Sequence, residues 1–246
     1  MKLLVIGLLG ALSLLAAGCV DQINVTKATQ AVAQLGAAAT LSDTEIKAMS
    51  KDMRAQGDAE ANVAAANNKY AKRLANITKA HSMEKGQPLN FKVYLTDDVN
   101  ANATADGSIR VYSGLMDLMT DDELRYVLGH EIGHVIEGHS LAAARLAYTA
   151  SAARKGVEAL NSTADALTSS TLGDILEATI NAQFSQKQES DADLYALEFM
   201  KTNHYNTQAA ITALHKLEKL SSGGGLLASH PAPGARAERI EKQLSR

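Results

Sequence analysis

The sequence has no tryptophan, only three phenylalanines and three prolines, and a single cysteine. With one cysteine no disulfide can form within the chain, which excludes the class of small secreted domains that disulfides hold together. Because large aromatic residues are scarce, we expect a core built from Ala, Leu, Ile, Val and Met. The net charge is -3, with acidic and basic residues interspersed, so the composition indicates no nucleic-acid partner.

Long hydrophobic runs are also missing beyond the N-terminus, which itself has the pattern of a secretory signal. Lys2 supplies a positive charge, residues 3–15 are apolar, and the small residues 16–18 precede Cys19. This arrangement resembles a bacterial lipobox, although alanine stands at position 16 where leucine is usual. After Cys19, Arg145 and Arg154 interrupt the most Ala-rich segment, so no apolar run reaches the length of a membrane span.

The N-terminus therefore predicts a lipoprotein. We expect residues 1–18 to be removed as a signal peptide and Cys19 to be acylated, with palmitate among its acyl groups. Residues 19–41 would then be a tether. Val20 occupies the position where an inner-membrane retention signal has aspartate, so we expect an anchor in the outer membrane, facing the periplasm, rather than in the inner membrane. The alternative is an ordinary cleaved signal with an incidental cysteine.

The most informative stretch is His-Glu-Ile-Gly-His at positions 130–134. On a helix with about 100° per residue, His130 and His134 project about 40° apart, so both imidazoles can share a metal ion. Glu131 falls about 60° to the side of His134, where its carboxylate can take a proton from a water beside the metal. The alternative is a chance match, with two histidines that only line a helix face.

The surroundings of this motif favour a buried helix. Thr120 and Glu123 have the spacing of a capping box, and the acidic first turn suits a helix N-terminus. Apolar residues then recur at helical spacing through residue 136. On a continuous helix His139 would lie about 140° from His134, so we expect it to point elsewhere.

A third metal ligand is expected because a catalytic zinc takes three protein ligands and one open position. Glu189 and Asp193 are four residues apart on a predicted helix that also carries Phe184. One carboxylate can bind the metal while the other accepts a hydrogen bond from the distal nitrogen of a ligating histidine. Alternatively, this acidic run is a solvated helix face.

The remaining pattern predicts an α+β fold that is mostly helical. Ser42 and Glu45 form a capping box for a helix to about residue 57, and a second helix, carrying His81, is predicted over 67–84. The alternation of apolar and polar residues predicts strands at 91–95, 99–104 and 108–113. The Asp106-Gly107 turn joins the last two strands, so we expect a small antiparallel sheet packed on the metal-binding helix. Residues 141–179 are predicted to be helical, either as a movable cover or as a pair of packed helices.

One strand of this sheet is a candidate substrate-binding edge, because an extended peptide can add to an exposed edge through main-chain hydrogen bonds. The alternative is a sheet that only packs against the helix. The candidate substrate-contacting residues at this edge are Asn100, Ala101, Asn102 and Ala103.

Together these motifs resemble the gluzincin metallopeptidases that include HtpX and the CAAX prenyl protease. The resemblance rests on the HEIGH motif, the later E-x-x-x-D, and His230-Pro231 six residues ahead of Arg236. The runs FKVYLTDDVNANATADGSIRVYSGLMDLMTDDEL and FSQKQESDADLYAL are similar to a periplasmic lipoprotein branch of the family, and the likeness extends from about Ser42 to the C-terminus. It implies that residues 42–246 form a zincin-like metallopeptidase domain.

The resemblance also implies roles for individual residues. One Zn²⁺ per chain would be bound by His130, His134 and Glu189, with Glu131 as the base. Asp193 would hold a ligating histidine. His230 would either close the zinc site or stabilise the oxyanion. Arg236 would anchor the C-terminal helix by an ion pair or contact substrate.

We therefore expect a zinc endopeptidase that cleaves misfolded or unassembled cell-envelope proteins. Its partners would be protein or peptide substrates, the membrane through the lipid anchor, and other envelope quality-control proteins. HtpX and the prenyl protease span membranes, whereas we expect no membrane span after Cys19 in this chain, so their membrane-embedded substrates are not expected here. The alternatives are a latent or non-cleaving metal-bearing chaperone or adaptor, with zinc capped by His230, and a lipoprotein with a purely structural zinc.

Overall fold

The computed structural model describes residues 41–159, 169–220 and 225–245. The predicted signal peptide, Cys19 and nearly all of the predicted tether lie outside the described residues. The helices are α1 (Asp43–Glu60), α2 (Lys69–Thr78), α3 (Ser113–Leu118), α4 (Asp121–Ile136), α5 (His139–Ala159), α6 (Ser169–Ile180), α7 (Gln186–Thr202), α8 (Gln208–Glu218), α9 (Leu226–Ser229) and α10 (Pro233–Leu244). The strands are β1 (Met83–Glu84), β2 (Gln87–Pro88), β3 (Asn90–Tyr94), β4 (Ala101–Ala103) and β5 (Ser108–Tyr112).

This architecture confirms the predicted α+β class, with helices dominating and a small sheet. β4 and β5 pair antiparallel, with Ala103 opposite Ile109, as the Asp-Gly turn predicted. β3 pairs with β5 in parallel, however, with Phe91 opposite Ile109, so the prediction of a wholly antiparallel sheet is wrong for this pair. The reason is the strand order β3-β5-β4: no hairpin joins β3 to its neighbour, and β5 lies between β3 and β4.

Local capping determines where α1 and α4 begin. The predicted capping boxes at Ser42 and at Thr120 are both formed, and they start α1 and α4. The helix predicted to continue to residue 84 is wrong at its end, because α2 stops at Thr78. The β1–β2 hairpin follows instead, and its turn places Lys85 and Gly86 at φ 44° and 81°, a conformation that a helix cannot continue through.

Helix α4 lies at the centre of the main core, between the sheet, α7 and α8. Two of its glycines face α7. A Cβ atom on Gly129 would lie 3.2 Å from the Cα atom of Ala196, and one on Gly133 would lie 3.2 Å from the Cα atom of Ala192. The two backbones therefore approach closely, which brings the side chains of α7 next to those of α4. The core residues of α4 are Leu124, Tyr126, Val127, Leu128, Ile132 and Val135.

Part of segment 141–179 forms a second core with α1. Met53 of α1 packs there with Ala147 of α5 and with Ile175 and Leu176 of α6. Of the two alternatives for this segment, the contacts therefore favour packed helices. Among the described residues, no helix combines the length and the apolar character needed to cross a membrane.

Candidate metal centre

Two helices and one loop bring four side chains to a single buried point. His130 and His134 come from α4, Glu189 from α7, and His230 directly follows α9. One potential ligand atom of each residue lies within 4.8 Å of those of the others. The Nε2 atoms of His130 and His134 are 3.1 Å apart. His134 Nε2 is 3.3 Å from Glu189 Oε1, and His130 Nε2 is 3.6 Å from Glu189 Oε2.

The donor set fits zinc. Two imidazole nitrogens and a carboxylate oxygen are ligands that zinc takes in catalytic sites. Burial lowers the pKa of His134 well below the usual value, so its ring is neutral and offers a lone pair to a cation. Burial alone would raise the pKa of Glu189, but the electrostatic and polar interactions of its carboxylate with His130, His134 and His230 outweigh it, and the carboxylate stays ionised.

Glu131 lies beside this cluster with a free acceptor. Its side chain is buried, with 2% of the residue exposed, and its Oε1 atom has no hydrogen-bond partner among the described residues. His230 Nε2 lies 3.5 Å from that oxygen. A buried carboxylate oxygen without a hydrogen bond destabilises the fold, so an oxygen kept in this state is available to a ligand of the site.

Asp193 contacts the side of His130 that faces away from the cluster. Its Oδ1 atom lies 3.0 Å from His130 Nδ1 and accepts a hydrogen bond of 2.7 Å from the hydroxyl of Tyr126. Burial alone would raise the pKa of Asp193, but the positive charge of Arg236 outweighs it and keeps the carboxylate ionised. An ionised carboxylate at Nδ1 holds the proton there and leaves Nε2 of His130 free to face the cluster.

Arg236 connects the C-terminal helix to two carboxylates of α7, Glu189 and Asp193. It is 3% exposed. Its Nη1 atom lies 2.6 Å from Glu189 Oε2, and its Nη2 and Nε atoms donate to Asp193 at 2.6 and 3.0 Å. Of the two roles predicted for Arg236, the ion pair that anchors the C-terminal helix is the one these contacts support.

His230 lies within the cluster rather than on an open loop. Its Nδ1 atom is 2.9 Å from Glu189 Oε1 and 3.2 Å from His130 Nε2. The segment that carries it is tied at both ends: the N–H of Leu226 donates to the carbonyl of Val99 at 3.2 Å, and the N–H of Phe184 donates to the carbonyl of Ser229 at 3.1 Å. These two hydrogen bonds hold the residues just before His230 in place, and Leu226 and His230 line a small cavity together with His130 and Glu131.

The predicted substrate edge is β4, which is the outer strand of the three-stranded sheet. Its residues Ala101, Asn102 and Ala103 are buried, and Arg54 of α1 donates to Asn102 Oδ1 at 2.6 Å. The carbonyl of Asn100 accepts from the N–H of Tyr112 at 3.0 Å. None of the four predicted edge residues belongs to the metal-ligand cluster, and the described chain partly covers the strand.

Sequence reasoning missed two residues that contact His134. His139 was predicted to point away, but its Nδ1 atom lies 3.1 Å from His134 Nδ1. The prediction is wrong because α4 ends at Ile136 and Gly138, at φ 76°, redirects the chain. That glycine was the available signal. Phe184 was expected on α7 but precedes it, and its ring stacks on His134 with the centroids 3.9 Å apart; no sequence pattern pointed to this contact.

Known proteins resemble this chain over most of its length. The sequence model of Peptidase family M48 matches residues 65–244. Metalloprotease YcaL of Escherichia coli (strain K12) is 44% identical over 211 residues, covering 85% of this chain and 83% of that protein. Metalloprotease LoiP of the same organism is 40% identical over 209 residues, covering 84% and 83%. The Beta-barrel assembly-enhancing protease of that organism is 28% identical over 179 residues, covering 68% and 37%.

These comparisons confirm the resemblance that the HEIGH motif and the later E-x-x-x-D predicted. The family, together with the buried His130, His134, Glu189 and His230 cluster, also confirms the predicted cofactor, one zinc ion. The chain therefore belongs to peptidase family M48 and is a zinc metalloprotease.

Proposed function

We propose that the chain is an endopeptidase lipoprotein that cleaves misfolded or unassembled proteins of the cell envelope. The observation that carries the catalytic part is the buried convergence of His130, His134 and Glu189 beside the free carboxylate oxygen of Glu131. In this proposal the first three residues bind the zinc ion. Its binding supplies a Lewis acid that polarises a peptide carbonyl and acidifies water.

Glu131 would then carry the proton in both halves of the reaction. Its carboxylate would accept a proton from the attacking water and deliver it to the nitrogen of the leaving amine, so that base and acid are the same group. The absence of a hydrogen bond to Oε1 supports this role, because that oxygen keeps its acceptor capacity for water once His230, whose Nε2 atom lies 3.5 Å away, has moved. Asp193 would keep His130 in the tautomer that ligation requires.

His230 would have to leave its present position for substrate to enter. Its Nδ1 atom lies 2.9 Å from Glu189 Oε1, where an incoming carbonyl would also need room. After this movement, its ring would be available to stabilise the oxyanion, a contribution of about 3 kcal/mol in other enzymes. Substrate would add to β4 as an extended strand; the Leu226–Val99 hydrogen bond lies two residues before that strand.

The same placement of His230 supports a second candidate function. A chain whose zinc is closed by His230 would bind envelope proteins as a latent or non-cleaving chaperone or adaptor. The His230→Ala variant distinguishes the two functions. If His230 closes the zinc site of a latent enzyme, the variant should cleave an unfolded protein faster than wild type does. If His230 stabilises the oxyanion, the variant should lose cleavage of that protein.

The cellular part of the proposal rests on the sequence and on a relative. The lipobox-like residues before Cys19 support acylation, and Val20 supports an outer-membrane anchor facing the periplasm. One relative bears the name Beta-barrel assembly-enhancing protease, which supports a role in envelope quality control and association with other proteins of that system.

The proposal is tested with the full-length, detergent-solubilised protein and one outer-membrane protein supplied in unfolded and in folded form. We expect cleavage of the unfolded form only, and no cleavage of either form by Glu131→Gln. Equal cleavage of both forms would contradict the substrate class. Mass spectrometry of the mature N-terminus, with Cys19→Ala as control, tests the lipid anchor: an unmodified Cys19 would refute it.

A further inference from the structure

We propose that His139 is a positioning residue for the zinc ligand His134, accepting a hydrogen bond from its distal ring nitrogen. The inference rests on the proposed function, in which His134 binds the metal through Nε2. A neutral imidazole that offers Nε2 to a metal carries its proton on Nδ1. That N–H needs an acceptor in a buried site, and the Nδ1 atom of His139 lies 3.1 Å away.

The local backbone places His139 for this contact. The N–H of Glu137 bonds to the carbonyl of Gly133 at 2.9 Å and the N–H of Gly138 to that of Val135 at 3.2 Å, which closes α4. Gly138 then adopts φ 76°, and α5 begins at His139. A residue that would lie on another face of an unbroken helix is thereby turned back onto His134.

The ring of His134 is then held from two directions. Phe184 stacks on its face, with centroids 3.9 Å apart and the planes inclined by 26°. His139 meets its edge, with an interplanar angle of 65°, and is itself buried. The stack limits tilting of the ring but allows rotation within its plane. The hydrogen bond at Nδ1 limits that rotation and so aims Nε2 at the metal.

The charge of the site explains why the partner is an imidazole and not a second carboxylate. His130 already has a carboxylate partner, Asp193. With Glu131 and Glu189 the centre holds three buried carboxylates, and Arg236 together with a Zn²⁺ ion supplies three positive charges. A further carboxylate at position 139 would leave one negative charge uncompensated in a buried site. A neutral imidazole orients His134 without adding charge.

The test measures zinc affinity of the full-length protein by competition with a chelator and records the visible absorption spectrum of the Co²⁺-loaded form. We expect His139→Phe, which keeps the shape and removes the acceptor, to bind zinc about 10- to 100-fold more weakly than wild type and to change the Co²⁺ spectrum. His139→Asn restores an acceptor near the Nδ1 position and should recover most of the affinity.

A matched control separates positioning from a general loss of packing. His81 is also a buried histidine, packed against Phe199 with centroids 4.7 Å apart and hydrogen-bonded to Tyr205 at 2.8 Å. His81→Phe should leave zinc affinity unchanged. Wild-type affinity in His139→Phe, or an equal loss in His81→Phe, would overturn the inference. An equal loss in His139→Asn would overturn it too.

A measurement on the wild-type protein needs no variant to fold. Long-range ¹H–¹⁵N NMR spectra of the zinc-loaded protein with labelled histidine report which ring nitrogen carries the proton. We expect the proton on Nδ1 of His134 and on Nε2 of His139, and a protonated Nδ1 on His139 would refute the hydrogen bond. Failure of the premise that His134 is a zinc ligand is detected separately, because His134→Ala would then keep the zinc affinity of wild type, and failure of the endopeptidase proposal is detected by the cleavage assay.

Discussion

The buried ion pairs of Arg236 lead to a prediction about stability with and without metal. Arg236→Met removes the cation that pairs with Asp193 and Glu189 while it keeps much of the apolar volume. Breaking a buried pair by removing one partner costs about 3–5 kcal/mol, because the remaining charge stays buried. We therefore expect the zinc-free protein to lose about 4 kcal/mol of unfolding free energy.

The loss should be smaller when zinc is bound. Glu189 would then face a second cation, and only Asp193 would lack its counter-charge, although it keeps the hydrogen bond from Tyr126. Urea unfolding of wild type and Arg236→Met, each with and without zinc, measures both differences. The control is Lys187→Met, which removes a pair whose lysine is 84% exposed and should cost less than about 1 kcal/mol.

Two results would refute this reasoning. A loss below about 1 kcal/mol in zinc-free Arg236→Met would mean that the pairs contribute no more than exposed ones. An equal loss in the two forms would mean that zinc does not neutralise Glu189, which contradicts its proposed role as a ligand.

Three further predictions concern the sheet, the helix interface and the metal. Burial alone would raise the pKa of Asp58, but hydrogen bonds from Arg110, Lys92 and Tyr94 lower it. The ionised carboxylate therefore stabilises the fold above about pH 4, and this contribution is lost at lower pH. Asp58→Asn should cost about 3 kcal/mol of unfolding free energy at pH 7 and weaken the fall of the melting temperature with decreasing pH. Gly133→Val should separate α4 from α7 and cost about 1–3 kcal/mol in urea unfolding, whereas an unchanged midpoint would contradict the close contact with Ala192. Chelation should abolish cleavage reversibly while the far-ultraviolet circular dichroism is retained, and loss of that signal would favour a purely structural zinc.

The catalytic helix was predictable because local and periodic signals agree there. The capping box at Thr120 fixes its start, apolar residues recur at helical spacing, and the separation of His130 and His134 follows from helix geometry alone. Glu189 and Asp193 were predictable as a pair for the same reason. Their position next to the histidines depends on the close packing of Gly129 and Gly133 against α7. No residue pattern in the sequence specified that packing.

The errors arose where a few backbone angles decide the outcome. The position of His139 depends on Gly138, whose backbone is left-handed. The assumption of a continuous helix therefore placed the His139 side chain on the wrong side of His134. The end of α2 depended on the turn at Lys85 and Gly86, which competes with helix continuation. The direction of β3 relative to β5 depended on strand order, and adjacent strands in a sequence do not specify which of them become neighbours.

The central claim is that Glu131 activates water at a zinc ion held by His130, His134 and Glu189. Its most direct test is casein cleavage by the wild-type protein and by Glu131→Gln, with zinc counted per chain in both. The account predicts one zinc in each protein, cleavage by wild type and none by Glu131→Gln. Cleavage by Glu131→Gln at the wild-type rate, with zinc retained, would contradict it.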